Sequence, residues 1–276
     1  MVHGSGPESR DAILPFARFL VRRGVAVVGY DKRGVGESTG DWYTSSLDDL
    51  AGDVIAAFKY LKTRSDIDKK QIGLLGISQA SAVMPIAALR EPGIAFLISL
   101  SSGGVPFAET DLDYTRNEMK MTGAPDAAIN QQVATTKLLY DFLRTGEGWE
   151  KYAATLPPGA VEKDDPRWDG LRKMALYDPT PTLEKLRVPT LAIWGEVDNI
   201  TMPEKQKPLW EKDLNKAANP DYTLVVLPKA DHDMLESEIG SSAEMPRLKR
   251  FSPDYSPTVV NWLKNRLHGL PTAGSK

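Results

Sequence analysis

Two kinds of hydrophobic pattern alternate along this chain: short continuous apolar runs, and longer stretches whose apolar residues recur at helical spacing. The continuous runs are rich in β-branched and aliphatic residues, which is typical of strands buried on both faces. They lie at residues 24–30, 72–75, 94–100, 189–195 and 222–227. Helical spacing is found at residues 13–21, 47–61, 80–89 and 259–267. Because strands and helices alternate, the pattern predicts an α/β fold built on a doubly wound, mostly parallel sheet.

The alternation stops between residues 105 and 186. This stretch is polar, contains several prolines and has mostly helical spacing. A connection of this length inside a compact fold is usually functional. We therefore predict that 105–186 forms a helical cap or lid, and that residues 1–104 and 187–276 together form the core.

One strand-to-helix junction has a sequence with chemical meaning, Gly76-Ile77-Ser78-Gln79-Ala80. A serine in such a tight turn is held in a strained conformation that lifts its hydroxyl out of the bend, as in a nucleophile elbow. Larger side chains two positions to either side would crowd the strand and the helix, so Gly76 and Ala80 are both small. The pattern predicts that Ser78 is a nucleophile.

A serine nucleophile needs a base, and the chain has three histidines. His3 lies in a glycine-rich turn far ahead of the serine, and His268 follows the last helix, where it would complement the helix dipole. His232 follows the predicted strand at 222–227. Loops that follow parallel strands emerge at the same edge of the sheet, so His232 can reach Ser78 and is the predicted base.

A carboxylate must orient the imidazole, and two candidates follow the predicted strand at 189–195. Asp198 is preferred because two further residues give its side chain room to turn towards the neighbouring loop; Glu196 is the alternative. Asp231 and Asp233 adjoin His232 in sequence, so their side chains diverge from its ring. The chain order Ser78, Asp198, His232 is the order of α/β-hydrolases.

These motifs give the chain a resemblance to α/β-hydrolase-fold serine hydrolases, most of all to bacterial carboxylesterases with a helical cap. Two further stretches carry it: His3-Gly4-Ser5-Gly6 resembles the oxyanion turn of that family, and 31–38 resembles its Asp-x-Arg-Gly-x-Gly-x-Ser loop. The resemblance implies that the backbone N–H groups of Ser5 and Gln79 form the oxyanion hole. It also implies hydrolysis of a small-molecule ester through an acyl-enzyme, with no cofactor and no metal.

Other functions stay open on the same scaffold. A peptidase or an acyl-CoA thioesterase would use the same nucleophile, and a binding protein can keep the fold without catalysis. The motif Asp231-His232-Asp233 has no second histidine nearby, which disfavours a metal site.

Composition removes several classes of partner. The 276 residues carry a net charge of −3 and no cysteine, so we expect no nucleic acid partner, no anionic membrane partner and no thiolate site. We expect a cytoplasmic protein, unless a targeting segment lies ahead of Met1.

Only Met1 and Val2 precede the oxyanion turn, whereas the family has two or three strands there. The N-terminal strands are therefore expected to be missing, which leaves an unpaired sheet edge. Such an edge invites pairing with another chain, so we expect that a homo-oligomer can form.

Overall fold

A sheet of four parallel strands forms the centre of the computed structural model, which describes residues 1–268 and 270. The strands lie side by side in chain order: β1 (Leu74–Ile77), β2 (Leu97–Leu100), β3 (Thr190–Gly195) and β4 (Tyr222–Leu227). β1, β2 and β3 are buried along their whole length, which explains why their sequences are continuously apolar. The predicted α/β class and parallel sheet are confirmed.

Helices cover both faces of the sheet. They are α1 (Arg10–Ile13), α2 (Arg18–Val21), α3 (Leu47–Thr63), α4 (Ala80–Arg90), α5 (Phe107–Met121), α6 (Asp126–Thr145), α7 (Trp149–Ala153), α8 (Arg167–Ala175), α9 (Thr180–Leu183), α10 (Pro203–Lys216) and α11 (Tyr255–Lys264), with 3₁₀ turns at Leu14–Ala17 and Met245–Arg247. None of the helices in the described part of the chain is long and apolar enough to cross a membrane.

Two hydrophobic clusters enclose the sheet. On one face, α3, α4 and α10 pack against β1 and β3, with Phe58, Met84 and Trp210 almost fully buried. On the other face, α11 and the N-terminal helices pack around Ile98 and Tyr255. Ser46 begins α3 with a capping box, in which its hydroxyl accepts from the Asp49 N–H and the Asp49 carboxylate accepts in return.

The prediction of a strand at 24–30 is wrong. Residues 25–30 belong to no strand or helix, and all of them keep some exposure to solvent. In the described part of the chain no strand pairs with this segment, and Met1 and Val2 lie between it and β1. The Val2 N–H donates to Leu75 O (2.8 Å), and the Met1 amine donates to Val28 O (2.8 Å). Ahead of these two residues, β1 and the segment face each other across an apolar cavity of about 280 Å³.

The same contacts hold the first residues against the core. Val2 and His3 are each 3% exposed, and Val2 forms a parallel bridge with Gly76. The His3 Nε2–H donates to Tyr30 O (2.6 Å), and the Gly4 N–H donates to the Glu8 carboxylate (2.9 Å). The protein's own residues therefore hold the predicted oxyanion turn in place, and pairing of the sheet edge with a second copy stays a prediction.

The cavity gives a first testable expectation. An extended apolar segment of about five residues joined ahead of Met1 should lie between β1 and residues 25–30 as a parallel strand. It would also convert the Met1 amine, whose pKa burial lowers to about 6, into an uncharged amide. We expect Tm to rise by about 2–4 °C or more, which for this size corresponds to ~1 kcal/mol. A Gly/Ser segment of equal length is the control, and an equal Tm for the two fusions would contradict the expectation.

Residues 105–186 contain five helices, α5 to α9. Within them, α5, α6 and α8 pack around a third hydrophobic cluster centred on Tyr140, Phe142 and Leu143. Trp168 packs edge to face against Phe142 and Trp149, and Trp149 packs against Phe142 at a tilted angle. The scattered aromatic residues of this stretch therefore serve chiefly to pack its helices together.

Candidate active site

Ser78 lies between β1 and α4 in a conformation that few serines adopt. Its φ is +56°, in the left-handed region, which places the side chain at the outside of a sharp bend. A Cβ added at Gly76 would lie 2.5 Å from the Ala80 Cβ and 2.7 Å from Val2 O, so the turn requires glycine there. The Ser78 hydroxyl is partly exposed and makes no hydrogen bond to another group in residues 1–268. It is free to meet a ligand.

Asp198 follows β3 and is held rigidly. Its side chain is buried, and Oδ1 accepts from the N–H groups of Ile200 and Thr201, both at 2.9 Å. The Thr201 hydroxyl donates to Oδ2 at 2.6 Å. Burial by itself raises the pKa of Asp198, but the charge of His232 and these hydrogen bonds outweigh it, so the pKa lies below its usual range. The carboxylate is therefore ionised at neutral pH.

His232 follows β4, and its ring faces Asp198. Nδ1 lies 3.1 Å from both carboxylate oxygens, which can only accept, so the proton of the neutral ring is on Nδ1 and Nε2 is able to accept one. The Ser101 hydroxyl donates to the His232 carbonyl (2.6 Å) and fixes the backbone. Burial lowers the pKa of His232, but the Asp198 charge and hydrogen bond, with Asp233 and Asp231, raise it above its ordinary value.

Glycine at position 195 lets the Asp198 and His232 loops approach each other. A Cβ there would lie 2.1 Å from Ala230 O, so no larger residue fits. The Glu196 N–H donates to Leu227 O and the Val197 N–H donates to Ala230 O, which ties the end of β3 to the loop that carries the histidine.

The alternatives to these residues lie elsewhere. Glu196 is exposed, and its carboxylate accepts from the Lys229 N–H (3.0 Å). Asp231 accepts from the N–H groups of Asp233 and Leu235 within its own turn, and burial raises its pKa to about 6. His268 is exposed, and its N–H donates to Gln71, which precedes β1, whereas Ser78 follows that strand.

Ser5 and Gln79, the predicted oxyanion donors, both lie beside Ser78. The three residues line one cavity of about 70 Å³. Neither the Ser5 N–H nor the Gln79 N–H donates to another group among the described residues, so both are available to a ligand. The cavity is lined otherwise by Leu47, Ser81, Ala82, Gly103, Val105, Phe107, Thr110, Met174, Tyr177, Pro179, Ile200 and Thr201.

Thr201 connects this cavity with the histidine. It lines the cavity, and its hydroxyl lies 3.5 Å from His232 Nδ1 while it donates to Asp198. The sequence did not single out Thr201. The signal that could have identified Thr201 is its spacing, because a threonine three residues after an aspartate can close a turn on that carboxylate.

Lys32 is the second residue that the sequence did not single out. It is 2% exposed, and its ammonium donates to Gly4 O (2.7 Å) and Gln79 Oε1 (2.8 Å). Three charged residues in a row, Asp31, Lys32 and Arg33, are typical of a loop exposed to solvent, so nothing in the sequence indicates that Lys32 is buried. Across residues 1–268 and 270, no group of three or more His, Asp or Glu side chains is close enough to hold a metal ion.

Comparison with known proteins agrees with the fold. The sequence profile described as "Alpha/beta hydrolase family" matches residues 1–240. No curated protein was found as a relative of the chain.

Solved structures of several enzymes are similar. The esterase Pf2001 of Pyrococcus furiosus is 20% identical with a TM-score of 0.60, and the match covers 96% of this chain and 80% of that one. A thermophilic esterase from Thermogutta terrifontis is 19% identical with a TM-score of 0.52, covering 96% and 88%. Bromoperoxidase from Bacillus anthracis is 17% identical with a TM-score of 0.57, covering 95% and 90%. At these identities the likeness shows the shared fold alone, and the substrate has to be inferred from the site.

Proposed function

Since this chain belongs to the alpha/beta hydrolase family, we propose that it is a serine hydrolase that cleaves carboxylic esters through an acyl-enzyme intermediate. The observation that carries the proposal is the contact of His232 Nδ1 with the buried Asp198 carboxylate, at 3.1 Å. Thr201, which donates to the same carboxylate, lines one cavity with the strained Ser78. A serine, a carboxylate and a histidine, which follow β1, β3 and β4, are the types of group that nucleophilic acyl transfer needs.

The roles follow from the chemistry of each group. His232 Nε2 takes the proton as Ser78 Oγ bonds to the acyl carbon, and the N–H groups of Ser5 and Gln79 donate to the oxygen that becomes negative. His232 then gives its proton to the leaving alcohol as the ester bond breaks. Water, deprotonated by His232, attacks the acyl-enzyme and releases the acid. Asp198 keeps the proton on Nδ1 and stabilises the imidazolium throughout.

We further propose that residues 105–186 act as a cap over Ser78. Phe107, Thr110, Met174 and Tyr177 come from this segment and line the cavity beside the serine. The Gln79 Nε2–H donates to Met174 Sδ at 2.9 Å, which links α8 to the turn that carries the nucleophile.

A second contact links the same segment to the loop of the acid. The Glu118 carboxylate on α5 accepts from Asn199 Nδ2 (2.7 Å), next to Asp198, and from Ser241 and Ser242. A helical segment joined in this way to two of the site's loops suits a cap that determines which substrates enter.

The size of the cavity predicts acyl preference. At about 70 Å³ it is far smaller than the ~300–1,000 Å³ of sites that take drug-sized ligands. Since the cavity is small and its lining is mostly apolar, we expect it to accept a short acyl chain. Measured on p-nitrophenyl esters of graded length, kcat/KM should be highest for acetate to butyrate and should fall at least tenfold by octanoate, because each methylene that does not fit costs about 1–3 kcal/mol.

A variant of the proposed cap separates its role from that of the core. Phe107→Ala removes an aromatic ring from the cavity lining and should move the optimum towards longer esters. Lys120→Ala, on an exposed position of the same helix, is the control and should keep the order of the wild type. A flat dependence on acyl length in the wild type, or an unchanged optimum in Phe107→Ala, would refute the assignment of acyl selection to this cavity.

A further inference from the structure

Lys32 is a buried cation without a carboxylate partner. Its side chain is 2% exposed, and no Asp or Glu oxygen in the described residues lies within 4 Å of Nζ. It donates instead to two neutral oxygens, Gly4 O and Gln79 Oε1, and lies 5.3 Å from the centre of the Trp42 ring. Burying an ammonium among neutral groups is costly, so its presence calls for a reason.

The first contact acts on an oxyanion donor. Gly4 O and the Ser5 N–H belong to one planar peptide group, in which the carbonyl and the N–H point in opposite directions. An ammonium that holds Gly4 O therefore fixes the direction of the Ser5 N–H. It also polarises that peptide group, which strengthens the N–H as a donor.

The second contact acts on the other donor. The Lys32 ammonium holds the side chain of Gln79, whose backbone N–H follows Ser78 directly. Gln79 is held from its other side by Met174. A single charged group thus connects both residues that are proposed to stabilise the oxyanion.

We propose that Lys32 is a positioning residue that orders the oxyanion hole by holding the Gly4–Ser5 peptide group and Gln79 together. The inference rests on the proposed function, because it concerns the same acyl-transfer site. The inference predicts that Lys32 raises kcat, because the oxyanion forms in the transition state and the oxyanion hole stabilises that state.

The protonation of Lys32 gives the inference a signature in pH. Burial lowers the pKa of Lys32 to about 8, and the opposing charge of Glu8 only partly offsets this. Two titratable groups near Lys32, Glu8 and His3, belong to the N-terminal loop. The charged residues that adjoin Lys32 in sequence are both paired, Asp31 with Arg10 and Arg33 with Asp53. Below pH 8 the ammonium is charged and the hole is held; as pH rises through 8 the charge is lost. We therefore expect kcat to fall on the alkaline side.

The test compares Lys32→Met with Lys59→Met, which removes an exposed lysine on α3. Hydrolysis of p-nitrophenyl acetate and the melting temperature are measured from pH 6 to 10. In Lys32→Met we expect kcat at pH 7 to fall about 10–100-fold, less than the 10²–10³ for outright loss of a donor, with KM changed by less than about twofold. The alkaline fall in kcat should disappear. Lys59→Met should retain the kcat, KM and pH dependence of the wild type.

Each other outcome overturns a defined statement. If the wild type is active and Lys32→Met keeps its kcat and its alkaline limb, the inference is wrong while the proposed function stands. If KM and Tm change but the pH dependence does not, the role of Lys32 is structural only. If Lys32→Met does not fold, the pH dependence of kcat in the wild type is the test. A wild-type kcat that stays level from pH 7 to 10 overturns the inference. A wild type without Ser78-dependent ester hydrolysis would overturn the proposed function, and the inference with it.

Discussion

Replacing Ser78 with alanine is expected to lower kcat for ester hydrolysis by about 10⁴-fold or more, the scale seen when a serine nucleophile is removed from a triad. The change removes only a hydroxyl, and that hydroxyl bonds to no other group in residues 1–268. Alanine at φ +56° keeps the same backbone strain as serine, so the free energy of unfolding should change by less than about 0.5 kcal/mol. Kinetics on p-nitrophenyl acetate and thermal unfolding test the two halves of this expectation.

A covalent probe identifies the nucleophile directly. Reaction with a fluorophosphonate should add one adduct to the peptide of residues 71–90, and the adduct should be absent in Ser78→Ala. Ser81 lies in the same peptide and lines the same cavity, so Ser81→Ala is the matched control and should keep the adduct. A loss of a hundredfold or less in Ser78→Ala, or an adduct that remains, would mean that another residue is the nucleophile.

The sequence predicted the turn between β1 and α4 better than the strands at the edge of the sheet. Gly76 and Ala80 crowd each other within the same turn, so the local sequence contains much of the information, although Val2 also packs against Gly76. The run at 24–30 has the composition of a buried strand, but a strand exists only beside a neighbour. Composition reports that a segment favours extension, whereas hydrogen-bonded pairing depends on residues far away in the chain. Among the described residues, Met1 bonds to Val28 and Val2 bonds to Leu75, but no strand pairs with the run, so the prediction failed.

Long-range contacts also explain which site residues escaped notice. The positions of Asp198 and His232 follow from the rule that parallel strands end at one edge, and the structure brings the two together. Lys32 has no such rule, because its neighbours Gly4 and Gln79 are 28 and 47 positions away. The charge of Lys32 predicts a side chain exposed to solvent, and only the three-dimensional structure shows that it is buried.

The two carboxylates after β3 provide the second large effect. Asp198→Asn is expected to lower kcat/KM by about 10⁴-fold, because an amide that donates to Nδ1 would favour the wrong tautomer of His232. Glu196→Gln makes the same chemical change two residues earlier on an exposed side chain that bonds to Lys229, so we expect less than a threefold effect. The two substitutions form a matched pair, and the opposite ranking would assign the role to Glu196.

The pH dependence distinguishes loss of the acid from general damage. Catalysis requires neutral His232, so the rate of the wild type should fall as pH drops through the pKa of this histidine. Asp198 holds that pKa above its ordinary value, against the effect of burial. Without the negative charge of Asp198, Asp233 and Asp231 alone oppose the effect of burial and the pKa falls, so the acid limb of the residual activity in Asp198→Asn should move to lower pH. In Glu196→Gln the limb should stay in place. A limb that is unmoved in Asp198→Asn would mean that His232 does not depend on this carboxylate, and that the 3.1 Å contact does not orient the base.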